Sequence, residues 1–534
     1  MKSKILLITI LITAASLRLV ALSKYPAGLN ADEAALGYNA YSLLTTGRDE
    51  HGHAWPINLE SFGDFKPAGY AYLLLPFVKV LGLTELAVRL PSALAGIWAV
   101  YVLYLLVKEL GEEKLALMAA AVLAVSPWHL HFSRGGWETN IATTLLLVAA
   151  WGWVKWTKTS QIKYIATTVV SLVFSLYVYQ STRVIAPLLG LGWAILSWRQ
   201  VWAKRKSLIL LAVLSVLLVL PLAWSLVKSD AGSRLSGVGL LADQGPVNRA
   251  QELRGQHADW NSPLSRVLHN RWLLYGLAFF KNYADHFGGN FLFVNGDLIE
   301  RNKVPETGLL YLTDLIVMSV GLVVLIRKGS SNYKFIWWWL LVAPLASAMT
   351  FQTPHAIRAF NMVIPLTTLV AVGINTLLSR WKTWAVVVLS FVYIWQFARY
   401  LHQYYNHYPQ TYPAAWEYGF KELVAYVDSV AGNYDQVLVT DKYDQPYILF
   451  LFYSKYPPHQ FQSNHELTFR DKFNFSTVRD YDKFHFAATP WDKVRDIHSS
   501  LIVAAPEDIP EVGVNIVKTI YFPNGQPAFK IVSN

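Results

Sequence analysis

The chain has 534 residues, of which 54% are hydrophobic and 15% are charged, whereas a soluble domain carries roughly 25% charged residues. Tryptophan, tyrosine and phenylalanine are abundant, at 21, 29 and 26 residues, as expected where aromatic rings sit at bilayer interfaces. This composition excludes an ordinary soluble domain and indicates a polytopic membrane protein. The chain contains no cysteine, which excludes disulfides, thiolate nucleophiles and cysteine-ligated metals.

Long apolar runs predict about eleven membrane-spanning helices, because roughly 20 apolar residues cross a bilayer. Arg18 and the sequence "SKYP" end the first run where a cleaved signal peptide would have small residues, so we interpret it as a span. The shorter run 70–82 contains Pro76 and Lys79, which favours an interfacial or re-entrant helix. The predicted spans lie near 5–22, 86–108, 115–131, 137–156, 163–180, 183–199, 206–227, 308–326, 334–352, 357–379 and 382–401.

Alternate loops between these runs are basic and together hold sixteen lysines and arginines. Short cytoplasmic loops carry such an excess, so we predict a multi-pass protein of the cytoplasmic membrane with a cytoplasmic N-terminus. The formal net charge of +11 is then explained by topology, and nucleic acid is not needed as a partner. An odd number of spans places the C-terminus outside the cytoplasm.

The predicted fold is mainly α, a polytopic membrane helical bundle with a small C-terminal α/β domain. We predict a transmembrane domain over 1–402, with outer loops 23–69 and 228–307, and an extracytoplasmic domain over 403–534. In the tail, "YDQVLVTD", "YILFLFY" and "SSLIVAAPE" are predicted as strands. Residues 413–428 are predicted as an amphipathic helix, preceded by a linker at 406–413.

Two adjacent carboxylates, Asp32 and Glu33, follow the first span on the outer side. They are either solvated loop charges or a catalytic pair, since a carboxylate near the membrane can act as general base on an acceptor hydroxyl. Lys66, in "GDFKPAGYAY" of the same loop, is either a snorkelling lysine or a cation for a lipid-linked phosphate.

Further basic side chains lie at the outer ends of spans, against the general charge trend. Ionisable groups near spans tend to be functional because they are costly there. Together with Lys66 they predict anion binding at the outer membrane face. These residues are Arg89 in "AVRLPSALAG", Arg134 in "SRGGWETN", and His355 and Arg358 in "TPHAIRAFN".

Two His-x-His pairs, His51/His53 and His129/His131, could bind metal on a strand but not on a helix. Neither has other ligands at a suitable spacing, so no metal site is predicted. There is no P-loop, dinucleotide fingerprint or zincin motif. We therefore predict no cofactor, with a divalent metal at Asp32 and Glu33 as the minor alternative.

The order of these motifs resembles bacterial membrane glycosyltransferases of the GT-C class, and most of all the protein mannosyltransferase and aminoarabinose transferase-like branch. The resemblance covers roughly residues 1–400, and it is weaker in the tail. The segments that carry it are "NADEAALGYNAYSLLTTGRDEHG", "FGDFKPAGYAYL", "AVRLPSALAG", "SRGGWETN", "NFLFVNGDLIERNKVPETGLLYL" and "TPHAIRAFNMVIPL".

The resemblance implies transfer of a sugar from a polyprenyl-phosphate donor to a protein, lipid or glycan acceptor on the outer side of the membrane. It implies that Asp32 is the catalytic carboxylate, with Glu33 beside it, and that Lys66 and Arg89 contact the donor. This chain has "KPA" where the family often has "KPP", which leaves the lysine in place. Substrate-binding roles for Arg134, His355 and Arg358 are extended from their positions.

Two other classes of function remain open from the sequence. A secondary transporter would show paired halves and unwound helices near the midplane, and a non-catalytic membrane scaffold would tolerate changes at Asp32 and Lys66. An oligosaccharide or polysaccharide ligase of the same broad membrane class would differ only in its substrates.

Overall fold

A computed structural model describes residues 2–228, 239–329, 333–380, 383–469 and 476–534. These residues are mainly helical, and the one large sheet among them lies in the C-terminal region. The chain forms two compact units. The first unit comprises Met1–Ala14, Gly96–Phe132 and Thr139–Phe397, and the second comprises Ala15–Ala95, Ser133–Glu138 and Ala398–Asn534.

The first unit consists of apolar helices joined by short connections. Helices Leu312–Lys328 and Val363–Arg380 pack closely, because Gly321 and Gly373 leave room for the backbone opposite. A Cβ atom on Gly373 would lie 1.9 Å from the carbonyl oxygen of Val317, so only glycine permits this approach. The other described α-helices wholly within this unit are Glu113–Val125, Ile162–Leu176, Thr182–Leu196, Trp198–Ala203, Arg205–Lys228, Gly245–Gly255, Pro263–Leu268, Arg271–Asp285, Lys334–Val342 and Leu345–Ala348.

Five helices cross the limits of the two units along the chain: Lys2–Leu19, Glu85–Leu110, Pro127–Ser133, Glu138–Thr159 and Thr383–His402. Together with the helices of the first unit, they place helical structure in each of the eleven runs predicted to span a membrane.

Length and composition single out fewer candidates for membrane spans. In the described part of the chain, Glu85–Leu110, Phe360–Arg380 and Thr383–Thr411 are long and apolar enough to cross a membrane. The pair Glu113–Val125 and Pro127–Ser133, bent by 59°, adds a fourth if it counts as one span. The number eleven therefore stays a prediction. Residues 70–82 do form a helix, Gly69–Leu81.

The second unit combines the region after the first helix with the tail of the chain. Its N-terminal part has helices Ala31–Thr46 and Gly69–Leu81 and a hairpin of strands β1 (Asn58–Ser61) and β2 (Asp64–Pro67). The helices of its tail are Tyr408–Thr411, Phe420–Val430, Pro446–Ser454, Pro458–Ser463 and Trp491–Val494.

A mixed seven-stranded sheet forms the centre of the tail. Its order is β4-β5-β6-β3-β7-β9-β8, in which β3 runs parallel to β6 and β7 and the other pairs are antiparallel. Every residue of β7 is buried, as expected for an interior strand. The strands are β3 Gln436–Val439, β4 His465–Leu467, β5 Val478–Tyr481, β6 Phe484–Phe486, β7 Ser500–Ala504, β8 Ile516–Tyr521 and β9 Pro527–Ser533.

The structure confirms some predictions for the tail and corrects others. "YDQVLVTD" and "SSLIVAAPE" contain β3 and β7, but "YILFLFY" lies in helix Pro446–Ser454. A short, fully buried apolar run has no period that separates strand from helix. The predicted linker at 406–413 is also wrong, because helical turns continue to Thr411.

The predicted domain boundary stays a prediction. Residues 398–534 belong to the same compact unit as residues 15–95. The predicted outer loop 228–307 includes helices Gly245–Gly255, Pro263–Leu268 and Arg271–Asp285. Residues 229–238 of that loop lie outside the described residues.

Candidate active site

Asp32 lies in the first turn of helix Ala31–Thr46. Asn30 caps this helix, since its side-chain oxygen accepts the Glu33 N–H at 3.1 Å while the Glu33 carboxylate accepts the Asn30 N–H. Such a capping box fixes where the helix begins. The helix N-terminus favours negative charge, so the local sequence stabilises a carboxylate at Asp32.

Lys66 reaches this carboxylate from the β1–β2 hairpin. Phe62 and Gly63 form its two-residue turn, with φ of 59° and 69°, and positive φ at both positions is typical of type I′ hairpins. Lys66 Nζ donates to Asp32 Oδ1 and lies 4.5 Å from the centre of the Phe62 ring. The side chains of Asp32 and Lys66 remain 29% and 12% exposed.

Glu33 is fully buried and paired with Arg89. Glu33 Oε1 accepts Arg89 Nε at 2.9 Å and the Gly136 N–H at 2.7 Å, and Oε2 accepts Arg89 Nη2 at 3.0 Å. Arg89, also fully buried, donates Nη1 to the Pro26 carbonyl at 2.9 Å. A Cβ on Gly136 would lie 3.2 Å from Glu33 Cγ, so glycine permits this approach. The pair fixes the backbone on both sides of Asp32.

Arg134 is 1% exposed and binds the C-terminal end of the first helix. Its Nη1 donates to the Leu17 carbonyl at 2.6 Å and its Nη2 to the Val20 carbonyl at 2.9 Å, while Nε donates to the Tyr404 hydroxyl at 3.3 Å. Final helix carbonyls lack intrahelical partners, and a cation is favourable there. These contacts explain the position of Arg134 without a substrate.

The second group of predicted site residues lies in the first unit, on the loop before Phe360–Met362. His355 is 6% exposed, and its Nδ1 accepts the Ile357 N–H at 3.3 Å. Arg358 is half-buried, and its Nη1 donates to the Thr350 hydroxyl at 2.8 Å. The structure thus brings together five predicted residues in the second unit (Asp32, Glu33, Lys66, Arg89 and Arg134) and two in the first.

Sequence reasoning missed two buried residues that contact the 355–357 backbone. The carboxylate of Asp297 accepts the Ala356 N–H at 2.7 Å, and the His355 N–H points to His286 Nε2 at 3.4 Å. Asp297 lies in a segment that carries the family resemblance, "VNGDLIERN". A charged residue beside an apolar run could have singled out Asp297 in the sequence. No feature of the sequence singled out His286.

The histidines of the two His-x-His pairs contact other protein groups. His51 Nδ1 lies 3.2 Å from His465 Nε2, and His131 Nε2 donates to the Arg301 carbonyl at 2.8 Å. His129 stacks on Phe360, with ring centres 5.7 Å apart. Across the described residues, no group of three or more histidine, aspartate or glutamate side chains is arranged to hold a metal ion.

Comparisons with known proteins find mannosyltransferases, in agreement with the family resemblance seen in the order of the sequence motifs. Residues 65–224 match the family described as "Dolichyl-phosphate-mannose-protein mannosyltransferase". A curated relative, the putative mannosyltransferase YycA of Bacillus subtilis (strain 168), is 27% identical over 183 residues. The match covers 32% of this chain and 26% of that protein, so the chain spans about a quarter of the relative's length.

Similar solved structures extend over nearly the whole chain. ArnT from Cupriavidus metallidurans matches with a TM-score of 0.57 at 10% identity in the apo state, and 0.55 at 11% when bound to undecaprenyl phosphate. Each match covers 98% of this chain and 97% of ArnT. The chain has the GT-C fold.

The archaeal oligosaccharyltransferase AglB from Archaeoglobus fulgidus, solved with an inhibitory peptide and a dolichol-phosphate, matches this chain less completely. Its TM-score is 0.50 at 11% identity, over 85% of this chain and 63% of AglB. At these identities the structural likeness is one of fold. With the family match and the mannosyltransferase relative, it confirms the resemblance to GT-C membrane glycosyltransferases predicted from the sequence.

Proposed function

We propose that this protein transfers a sugar from a polyprenyl-phosphate donor to an acceptor on the outer side of the cytoplasmic membrane. The observation that carries the proposal is the partly exposed Asp32–Lys66 pair at a helix N-terminus. The family match to mannosyltransferases and the ArnT-like fold support it. ArnT was solved with undecaprenyl phosphate, which supports this donor class.

Asp32 acts as the general base in this proposal. It takes the proton of the acceptor hydroxyl as that oxygen attacks the anomeric carbon, and the bond from that carbon to the phosphate oxygen breaks. The electron pair leaves on the polyprenyl phosphate, which is already a good leaving group, so no separate general acid is needed. A single displacement inverts the anomeric centre, whether the sugar is a hexose or a pentose.

Lys66 stabilises the charge that develops on the leaving phosphate. An ammonium group has three N–H donors, and the one given to Asp32 leaves two for phosphate oxygens. Preorganised charge of this kind is usually a large catalytic contribution. Arg358 is half-buried and donates to the Thr350 hydroxyl, and its substrate contact stays a prediction from the sequence.

Glu33, Arg89 and Arg134 support the site without touching the substrate. Their charged groups are buried, and their hydrogen bonds go to one another, to the backbone and to the side chains of Asn30 and Tyr404. This assignment differs from the sequence-based hypothesis, which gave Glu33 a catalytic role and both arginines substrate contacts. His355, also buried, belongs to the framework that holds Arg358.

The test is the turnover of the purified protein in lipid nanodiscs with a panel of polyprenyl-phosphate sugars and peptide, lipid and glycan acceptors. Mass spectrometry of the released polyprenyl phosphate measures transfer. Asp32→Asn should lower kcat by about 10²–10⁴-fold with donor binding retained. The control is Asp496→Asn, at a side chain that is 86% exposed. Near-normal turnover of Asp32→Asn in a folded protein would contradict the assignment of the base.

The proposed sidedness has a separate test. Reporters fused after Lys158 and Arg205 should read as cytoplasmic, and a reporter after Asn534 should read as extracytoplasmic, because basic loops stay in the cytoplasm. An outside signal at Arg205 would overturn the topology and, with it, the location of the reaction.

A further inference from the structure

Helix Arg271–Asp285 exposes an apolar side in the first unit. An α-helix has 3.6 residues per turn, so positions 272, 273, 277 and 280 lie on one side of it, and their side chains are between 49% and 69% exposed. These residues are Trp272, Leu273, Leu277 and Phe280. Large apolar side chains grouped in this way on a protein surface mark an interaction site.

The opposite side of the same helix is fixed to the first unit. Tyr275 and Asn282 are buried there. The Tyr275 hydroxyl donates to the Asp243 carbonyl at 2.9 Å, and Asn282 Nδ2 donates to the Thr350 carbonyl at 3.0 Å. These buried polar groups would lose their hydrogen bonds if the helix rotated, so the apolar side stays turned away from the unit.

The apolar side adjoins a helical segment predicted to span the membrane. The segment Lys334–Ala348 is apolar and lies within the predicted span 334–352. Tyr283 follows Phe280 by three residues, which places both on one side of the helix, and its hydroxyl donates to the Leu341 carbonyl at 2.9 Å. Leu341 is itself 54% exposed. A bilayer around that span would therefore also meet this helix.

The residues just before the helix have the same character. The side chains at 260, 264, 267 and 268 are also between 49% and 69% exposed, and they are Trp260, Leu264, Val267 and Leu268. From residue 260 to residue 281 the sequence has three cations, Arg266, Arg271 and Lys281, and no carboxylate. The Arg271 guanidinium lies 4.9 Å from the centre of the Trp272 ring. Tryptophan and arginine beside exposed leucine are typical of helices that lie in a membrane surface.

We propose that these eight apolar residues (the 260–280 face) bind the surface of a phospholipid bilayer that contains anionic lipid. The apolar side chains enter the boundary between headgroups and acyl chains, while Arg266 and Arg271 attract lipid phosphate. The net positive charge of 260–281 favours anionic headgroups, and the contact with Leu341 places the face beside lipid. The inference uses the predicted span 334–352 and does not depend on the proposed sugar transfer.

The chain has no cysteine, so one introduced cysteine can be labelled without background. Leu273→Cys, Leu277→Cys and Phe280→Cys are each labelled with bimane in the full chain, in vesicles of phosphatidylcholine and phosphatidylglycerol. The control is Val512→Cys, at an 87% exposed position of the tail. Iodide in the water should quench the three labels about tenfold less than the control label, because such a face lies about 5–10 Å inside the headgroup boundary. A nitroxide on the lipid acyl chain should quench the three labels more than the control label.

A second measurement tests the charge. Phosphatidylglycerol and phosphatidylcholine that carry the nitroxide are compared as quenchers of the Phe280→Cys label, and the anionic lipid should quench it more strongly. Arg271→Gln should lower that preference by up to about fivefold, since each cation at the surface adds to the attraction. Arg249→Gln is the control and should leave the preference unchanged, because Arg249 pairs with Glu252 at 2.8 Å.

Thermal unfolding of each variant is first compared with that of the cysteine-free protein, and three positions on one face guard against the loss of one variant. Iodide quenching at the 260–280 face equal to that at Val512→Cys would overturn the proposal, because the face would then lie in water. Labels that neither iodide nor the lipid nitroxide reaches would also overturn it and would show that another protein chain covers the face. Equal quenching by the two lipids would refute the role of anionic lipid.

Discussion

Glu33→Gln tests whether the buried carboxylate supports the site or takes part in the chemistry. In the structure Glu33 Oε1 faces Arg89 Nε and the Gly136 N–H, and Oε2 faces Arg89 Nη2 and the Asn30 N–H. An amide keeps the shape of the side chain but turns an NH₂ group toward one of these sets of donors. It also leaves Arg89 as a buried charge without its partner.

The loss of folding stability expected for Glu33→Gln follows from the burial of Glu33 and Arg89. Removing one partner of a buried ion pair typically destabilises a protein by about 3–5 kcal/mol. For a unit of this size such a loss lowers the thermal midpoint by about 10 °C. Asp32→Asn, at a partly exposed side chain, should shift the midpoint much less. The two substitutions should therefore have different effects: Glu33→Gln should mainly lower stability, and Asp32→Asn should mainly lower turnover.

The assay is thermal unfolding in nanodiscs, followed by tryptophan fluorescence, for Glu33→Gln, Arg89→Met and the double variant. The double variant should be less destabilised than the sum of the single variants, because it leaves no buried charge unpaired. A wild-type midpoint for Glu33→Gln, or strict additivity with Arg89→Met, would refute the reasoning. So would a Glu33→Gln protein of full stability that has lost turnover as completely as Asp32→Asn.

Three further predictions concern other charged groups. Lys66→Met should raise donor KM more than Lys66→Arg, since arginine keeps the charge but not the shape, and equal donor affinity of Met and wild type would exclude the phosphate contact. Arg134→Lys should lower the free energy of unfolding by about 2 kcal/mol with donor KM unchanged, whereas a raised KM would support a substrate contact. Burial raises the pKa of Glu50 to about 8, so the folded protein binds its proton more tightly than the unfolded chain, and this group's contribution to stability should fall between about pH 4.5 and 8. Glu50→Gln should flatten that dependence in thermal unfolding scans, and an unchanged slope would contradict it.

Local patterns predicted much of the helical architecture. Long apolar runs in the sequence predicted where helices lie, and each of the eleven predicted spans contains helical residues in the structure. The Asn30–Glu33 capping box can be recognised from four residues of sequence and fixes where Asp32 stands. Local periodicity failed at "YILFLFY", where every residue from Tyr447 to Phe452 is buried, since a run that is apolar on all sides fits a strand or a helix equally.

By itself, the sequence determined the class of protein, the order of its motifs and the candidates Asp32 and Lys66, because hydropathy and residue type are local properties. Only the tertiary structure decided which of the charged side chains are buried. Glu33, Arg89 and Arg134 look like site residues in the sequence, yet each is buried against partners from distant parts of the chain. The partners of a buried charge depend on long-range packing, and spacing along the chain does not encode them. The same holds for Asp297 and His286, whose contacts with the 355–357 backbone arise only in the tertiary structure.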